Sequence, residues 1–285
     1  MSATTRTETR RRPRVVRPNV LGALGGYVWL AVIILPIYYI VVTSVRSQAG
    51  FFAGNPLAIP TDATLDNYRL VLANDFTRYF LNSVIVTVAT VTVTVVVSFM
   101  AAFTIVRGTG RLHRATFTVF LLGLAIPIQA TIVPIYYMIT RAHLYDTLLA
   151  LILPSIAFAI PLTVIILVNF LRDVPNELFE SMRLDGATHW QTMWRLAVPL
   201  VRPAVITVAV YDALNVWNAF LFPLILTQSP QNRVLPLALW SFQGQFTVNI
   251  PAVLAAVILS TLPILVVYVL GRRQLVSGLT AGFGK

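Results

Sequence analysis

Asp173–Pro203 reads DVPNELFESMRLDGATHWQTMWRLAVPLVRP, the one charged interlude longer than a tight loop in the second half of a very apolar chain. Pro175 suits the first turn of a helix, where its missing N–H leaves nothing unpaired, and Glu177 favours that positive end. Leu178, Phe179 and Met182 fall on one side at helical spacing, while Glu177, Glu180 and Arg183 point elsewhere. Gly186 supplies a left-handed cap for this short helix. A second helical run, Thr188 to Ala197, follows before Pro199 and Pro203 break it. The stretch predicts an amphipathic helix, a glycine turn and a second helix leading back into an apolar environment.

That environment is a membrane. Hydrophobic residues make up 57% of the chain and charged ones 11%, with a mean hydropathy of +0.79, whereas soluble domains carry about 25% charged residues. The absence of cysteine excludes a disulfide scaffold, a thiolate metal site and a cysteine nucleophile. A net charge of +11 would suit nucleic acid if the bases formed a patch. They sit instead at the ends of apolar runs, so membrane topology explains them and no nucleic-acid partner is expected.

A spanning helix needs about 20 predominantly apolar residues. Five runs meet this almost without charge, Asn19–Val45, Tyr79–Val106, Ala115–Thr140, Leu148–Leu171 and Pro251–Leu270; a sixth, Pro203–Thr227, carries only Asp212. Thr87 to Val97 alternates Thr and Val like a strand, but a membrane strand takes about 9–11 residues with neighbours of the same period. This run is far longer and its neighbours lack the alternation, so it is read as a helix. Residues 1–18 hold Arg6, Arg10, Arg11, Arg12, Arg14 and Arg17, and are expected to form a disordered cytoplasmic tail held near anionic headgroups. A cleaved signal peptide is the alternative; Asn19–Val45 is too long for its apolar core and shows no small-residue cleavage site.

Arginine and lysine set the orientation. With the N-terminus inside, only Arg46, Arg69, Arg78, Arg141 and Arg233 of the 21 basic residues fall outside. Both termini and the Glu180 loop, 172–202, are therefore expected to be cytoplasmic. Segments 46–78 and 228–250 form the long external loops, and Leu235 to Phe246 is apolar enough to lie on the membrane surface or against a partner. The expected architecture is an all-α polytopic membrane protein with six transmembrane helices in one domain, 19–285.

No catalytic constellation emerges. His113, His143 and His189 lie in three loops on opposite sides of the membrane, so no metal site is expected, and no Walker A or Gly-rich phosphate loop is present. Asp212 is different: an acid well inside a span costs about 2.5–3.5 kcal/mol on insertion scales and marks a candidate functional site. Asn215 shares its helix face, Trp217 offers a surface on which a sugar ring stacks, and Asn218 lies beside them. Gln129 and Asn169 are weaker cases. The competing reading of Asp212 is a structural bond to a neighbouring helix. Pro127, Pro134, Pro154 and Pro161 are expected to kink the third and fourth spans.

The order Glu180-Ser181-Met182, three residues, Gly186, nine residues, Leu196-Ala197-Val198-Pro199 resembles the EAA loop of bacterial ABC importer permeases. Leu184-Asp185-Gly186-Ala187 looks like the carbohydrate-uptake, maltose-permease-like branch. Asp66-Asn67-Tyr68 followed by Asn82-Ser83, and the ending Gly278-Leu279-Thr280-Ala281-Gly282, are similar to the same branch. The resemblance implies a type I importer permease in the bacterial inner membrane, working with a second homologous permease, two ATPase subunits and an extracytoplasmic solute-binding protein. ATP would be bound by the partner ATPases, leaving this chain with no cofactor and no enzymatic activity. Glu177, Leu178, Phe179, Glu180, Met182, Arg183, Asp185 and Gly186 would then meet the ATPase, joined by Gly278, Leu279 and Thr280. Gln243 and Gln245 would meet the binding protein, and Asp212, Asn215, Trp217, Asn218 and Gln129 are candidates for the translocation path. An ion-coupled secondary transporter should show several intramembrane ionisable residues, and only Asp212 is found. A permease of the same kind for a non-sugar solute remains the other alternative.

Overall fold

In hydrocarbon every backbone N–H and C=O must pair within its own segment, and the chain meets that demand with helices. The computed structural model of the protein describes residues 20–61, 63–239 and 248–281. Its helices are α1 (Val20–Ser44), α2 (Gln48–Ala53), α3 (Asp66–Ala73), α4 (Phe76–Arg107), α5 (Arg111–Gly123), α6 (Ile132–Arg141), α7 (Leu148–Arg172) and α8 (Asn176–Leu184). There follow α9 (His189–Leu200), α10 (Arg202–Trp217), α11 (Leu221–Leu226), α12 (Leu235–Ala238) and α13 (Ile250–Ala281). Among the described residues, α1, α4, α7 and the Ile250–Val269 part of α13 are long and apolar enough to cross a membrane, and the bent pairs α5–α6 and α9–α10 bring the number up to six.

The bends correct two expectations. Ala115–Thr140 is not one kinked helix: α5 and α6 meet at 93° across a break that contains Pro127. The other pair bends by 78° at Val201, and Pro199 sits inside helix rather than ending it. Widening of Met193–Ala197 into a π turn precedes that bend; such turns release carbonyls from the regular ladder. The run Pro203–Thr227 also divides, since α10 ends at Trp217 and α11 starts at Leu221. By contrast α7 stays a single helix through Pro154 and Pro161.

α4 is the central post. It packs most extensively against α7 and is crossed by α10. Its Thr–Val alternation folds as helix because Thr90, Thr94, Ser98 and Ala102 make a completely buried stripe at four-residue spacing. Small side chains in such a stripe let helices approach closely in a membrane, and this overrides weak helix propensity. Phe99 and Phe103 on α4 join Val164, Leu167, Val168 and Leu171 on α7 in the largest apolar cluster.

Segments assigned to the same side of the membrane do lie together. At the end expected to be external Asn67 Nδ2 donates to the carbonyls of Ser44 (2.9 Å) and Arg46 (2.7 Å), and Tyr68 Oη lies 2.8 Å from Ser44 Oγ, fixing α1 to α3. Asn82 Nδ2 donates to Gln231 O and Arg233 O, both at 2.8 Å, while Leu235 N donates to Ser83 Oγ at 2.9 Å. Asn67-Tyr68 and Asn82-Ser83 thus act as braces. They also carry α12 inward: Leu235, Leu237 and Ala238 are buried, Leu235 and Ala238 beside Tyr79 and Trp217. This part of the apolar 235–246 run is therefore core and not a surface-lying segment.

Asp146 ties the link after α6 to the same loop. Its Oδ1 accepts from the N–H groups of Gln228 (2.9 Å) and Ser229 (3.1 Å), and its carbonyl accepts from Asn232 Nδ2 (2.5 Å). Burial pushes this carboxyl up, but the hydrogen bonds from Gln228, Ser229 and Asn232 outweigh it and hold the group below the ordinary carboxylate range. A depressed native value stabilises the fold above the unfolded value of about 4, and the gain is lost as pH falls through the native value. The protection factors of the Gln228 and Ser229 amides should therefore drop on acidification below about pH 4. Asp146→Asn should show weaker protection at neutral pH without that titration; equal protection in both proteins at all pH values would remove Asp146 as the tie.

Candidate functional site

Two sites emerge, at opposite levels of the bundle. The first is the α8–α9 element at the end predicted to be cytoplasmic. Arg107, the last residue of α4, donates from Nη1 to Asn176 Oδ1 at 2.7 Å, and its Cζ stands 4.2 Å from the centre of the Phe179 ring. Phe179 is 1% exposed and its ring centre is 6.4 Å from that of Phe103. The expectation that Phe179 belongs to a partner-facing apolar side is therefore corrected: the element does have something of its own chain to fold against, and Phe179 is its root. Met182 is half-buried, whereas Glu177, Leu178, Glu180, Arg183 and Asp185 are exposed.

Local chemistry fixes the turn beyond. Ala187 N donates to Met182 O (2.9 Å) and Gly186 N to Arg183 O (3.0 Å), the double bond of a Schellman cap. Gly186 has φ +75°, so a side chain there is strained even though the space is open. Thr188 and Gln191 close a capping box on α9, with Gln191 Oε1 accepting from Thr188 N at 2.8 Å and Thr188 Oγ1 accepting from Gln191 N at 3.2 Å. The outward apolar surface comprises Leu178, Leu184, Trp190 and Trp194, of which Leu184 is 89% exposed. Spacing along α8 alone did not reveal the last three, because Leu184 ends the helix and both tryptophans lie beyond the turn.

The second site is an intramembrane cavity of about 340 Å³ between α7, α10 and α11. Asp212, 3% exposed, accepts from Thr163 Oγ1 at 2.8 Å, so the acid is both bonded to a neighbouring helix and set in the cavity wall. Asn215 shares the wall, with Nδ2 donating to Tyr211 O at 2.8 Å. Ser155, Phe158, Tyr211 and Phe220 add a polar and aromatic surface that the sequence did not single out. Trp217 does not belong here. It lies five residues from Asp212 on another face, donates from Nε1 to Ser260 O (3.1 Å) and packs edge-on against Phe80 (5.9 Å). Gln129 and Asn218 are exposed and are not part of the lining, and Asn218 donates to Leu214 O. Gly278, Leu279 and Thr280 lie in the last turns of α13, while Gln243 and Gln245 lie outside the described residues. No group of metal-binding residues occurs among the described residues.

The burial of Phe179 makes a measurable statement. Phe179→Ala should lower stability by about 3–5 kcal/mol, the ordinary cost of emptying a buried aromatic site. Leu184→Ala should stay within about 0.5 kcal/mol, as an exposed change does. Thermal unfolding of the purified chain in detergent compares them, and equal effects would contradict the anchor.

Residues 94–275 match the family of binding-protein-dependent transport system inner membrane components. A putative ABC transporter permease protein, ORF2, of Caldicellulosiruptor sp. is 37% identical, with 90% of this chain and 93% of that protein covered. The trehalose transport system permease protein SugB of Mycobacterium tuberculosis is 32% identical over 87% of this chain and 91% of its own length. The diacetylchitobiose uptake system permease protein NgcG of Streptomyces coelicolor is 30% identical over 89% and 85%. Among solved structures, a chain of a bacterial ABC transporter that imports the acidic polysaccharide alginate matches with a TM-score of 0.78, at 19% identity over 92% of this chain and 99% of that one. With its apolar spans, bent helix pairs and loop after α7, the chain belongs to the multi-pass inner-membrane components of binding-protein-dependent transport systems.

Proposed function

We propose that this chain is one permease subunit of an ATP-driven importer for a saccharide, and that the α8–α9 element is where ATPase motion enters it. The supporting observation is the combination of an exposed apolar and acidic surface, Glu180 with Leu178, Leu184 and Trp194, and a buried root at Phe179. A partner that pulls on such an element moves α4, because Phe103 and Arg107 grip the same helix from beneath. The chain contributes no ATP site and no cofactor in this reading; two partner ATPase subunits bind the nucleotide. A second permease completes the pathway and an extracytoplasmic protein delivers the solute at the braced external face.

The saccharide assignment is supported by relatives named for trehalose and diacetylchitobiose transport. It is also supported by the cavity, whose size falls in the usual range for small-molecule sites and whose aromatic walls surround a few polar groups. Asp212 and Asn215 are the groups of this chain that face a passing solute.

Co-purification of the ATPase, measured beside solute uptake, tests the coupling role. Gly186→Val forces a β-branched residue into a left-handed turn and re-aims α9 against α8, so both readouts should be lost. Glu180→Gln removes an exposed charge worth about 0–1 kcal/mol and should weaken coupling without detaching the ATPase. Membrane insertion should persist in both variants, because neither touches a spanning segment. Wild-type co-purification and uptake in Gly186→Val would overturn the coupling role.

A further inference from the structure

Between the inner ends of α4 and α5 and the start of α9 lies an open groove of about 530 Å³. Arg107, His113, Arg183 and His189 line its rim, and no carboxylate lines it among the described residues. Arg107 gives one N–H to Asn176 and its flat face to Phe179, which leaves further donors of its five at the rim. His113 is held in place by backbone: its ring lies so close to Gly108 that a Cβ there would fall 2.0 Å from the ring atoms.

Beneath the rim the groove turns apolar. Met100, Phe103 and Met193 line it, and Met100 lies seven residues before Arg107, about 10 Å deeper along the helix axis. Met100 is 40% exposed, and the hydroxyl of Thr104 is already bonded to Met100 O at 2.8 Å. Trp190, 57% exposed, stands at the rim beside the two arginines. A soluble anion would use the rim and leave the apolar trough without a partner. A molecule with an anionic head and a hydrocarbon tail satisfies both, and tryptophan beside arginine is the side-chain pairing that favours a headgroup level.

We propose that this groove is a specific site for an anionic phospholipid of the cytoplasmic leaflet, its phosphate among Arg107, Arg183 and His189 and its upper acyl chain over Met100. The site rests on the cytoplasmic orientation of the Glu180 end, not on the identity of the transported solute.

Native mass spectrometry of the purified full chain, titrated with phosphatidylglycerol or with phosphatidylcholine of equal chain length, tests it. Phosphatidylglycerol should be retained about tenfold better, and Arg183→Gln should weaken that retention about fivefold, with a further loss in Arg183→Gln/His189→Gln. Both side chains are exposed, so neither change threatens the fold. The arginine-rich N-terminal tail also attracts anionic lipid, so the difference between wild type and variants carries the result. Equal retention of the two lipids, or phosphatidylglycerol binding undiminished in the double variant, would overturn the site. Displacement of phosphatidylglycerol by glycerol 3-phosphate would make it a soluble-phosphate site and overturn the lipid assignment. Loss of the lipid on assembly with the second permease and the ATPases would show that the groove belongs to an interface between subunits, and would overturn it equally.

Discussion

Everything at the inner end of this protein depends on one aromatic ring held from two sides by one helix. Phe179 is closed in by Phe103 and roofed by the Arg107 guanidinium, both on α4. Burying such a ring contributes about 1.5–3 kcal/mol, while a cation over its face adds about 0.5–2 kcal/mol depending on desolvation. Burial thus contributes more to stability, and the arginine sets direction: by also binding Asn176 it fixes the first turn of α8. The short helix is too brief to be stable alone, so this root, the Schellman cap at Gly186 and the capping box at Thr188 hold its shape.

The same post is gripped at its other end. Asn82 and Ser83 near the start of α4 hold the loop that leads into α12, while Asp146 holds that loop from the α6–α7 link. Between the two ends runs the buried stripe of Thr90, Thr94 and Ser98, whose hydroxyls find no hydrogen-bond partner among the described residues. A seam of small side chains brings helices close without interlocking them through large ones. α4 therefore connects the braces at Asn82 and Ser83, an intramembrane cavity on its neighbours and the α8–α9 element rooted at Phe179.

Much of this was legible in the sequence, for identifiable reasons. Span number follows from uninterrupted apolar length, and the left-handed turn follows from Gly186 standing after an amphipathic run. Asp212 and Asn215 were legible as a pair because a three-residue spacing places them on one face and an acid in a span is costly. What spacing cannot supply is the identity of the object that covers a face. Leu178, Phe179 and Met182 shared one side of the helical projection, yet Phe179 turns to its own chain while Leu178 stays exposed. Trp217 was grouped with Asp212 by nearness in the chain, and five residues of helix separate their directions. The bends at Pro127 and Val201, and the burial of α12, depend on packing between distant segments and left no local signal beyond prolines that also occur inside unbroken α7.

If Phe179 roots the element in α4, the two must move together during transport. The chain has no cysteine, so a pair introduced at the exposed positions Leu184 and Thr109 can be spin-labelled without background. Leu184→Cys reports the tip of α8, and Thr109→Cys the chain just beyond α4. The distance between the two labels should be measured by pulsed electron resonance in the assembled transporter, with and without trapped ATP. The account predicts a separation that stays constant to within about 2 Å, the scale of ordinary helix adjustments, while the bundle changes state. A larger change in that distance, with the ATPase still bound, would show that α8 swings on its own and would contradict the rooted lever.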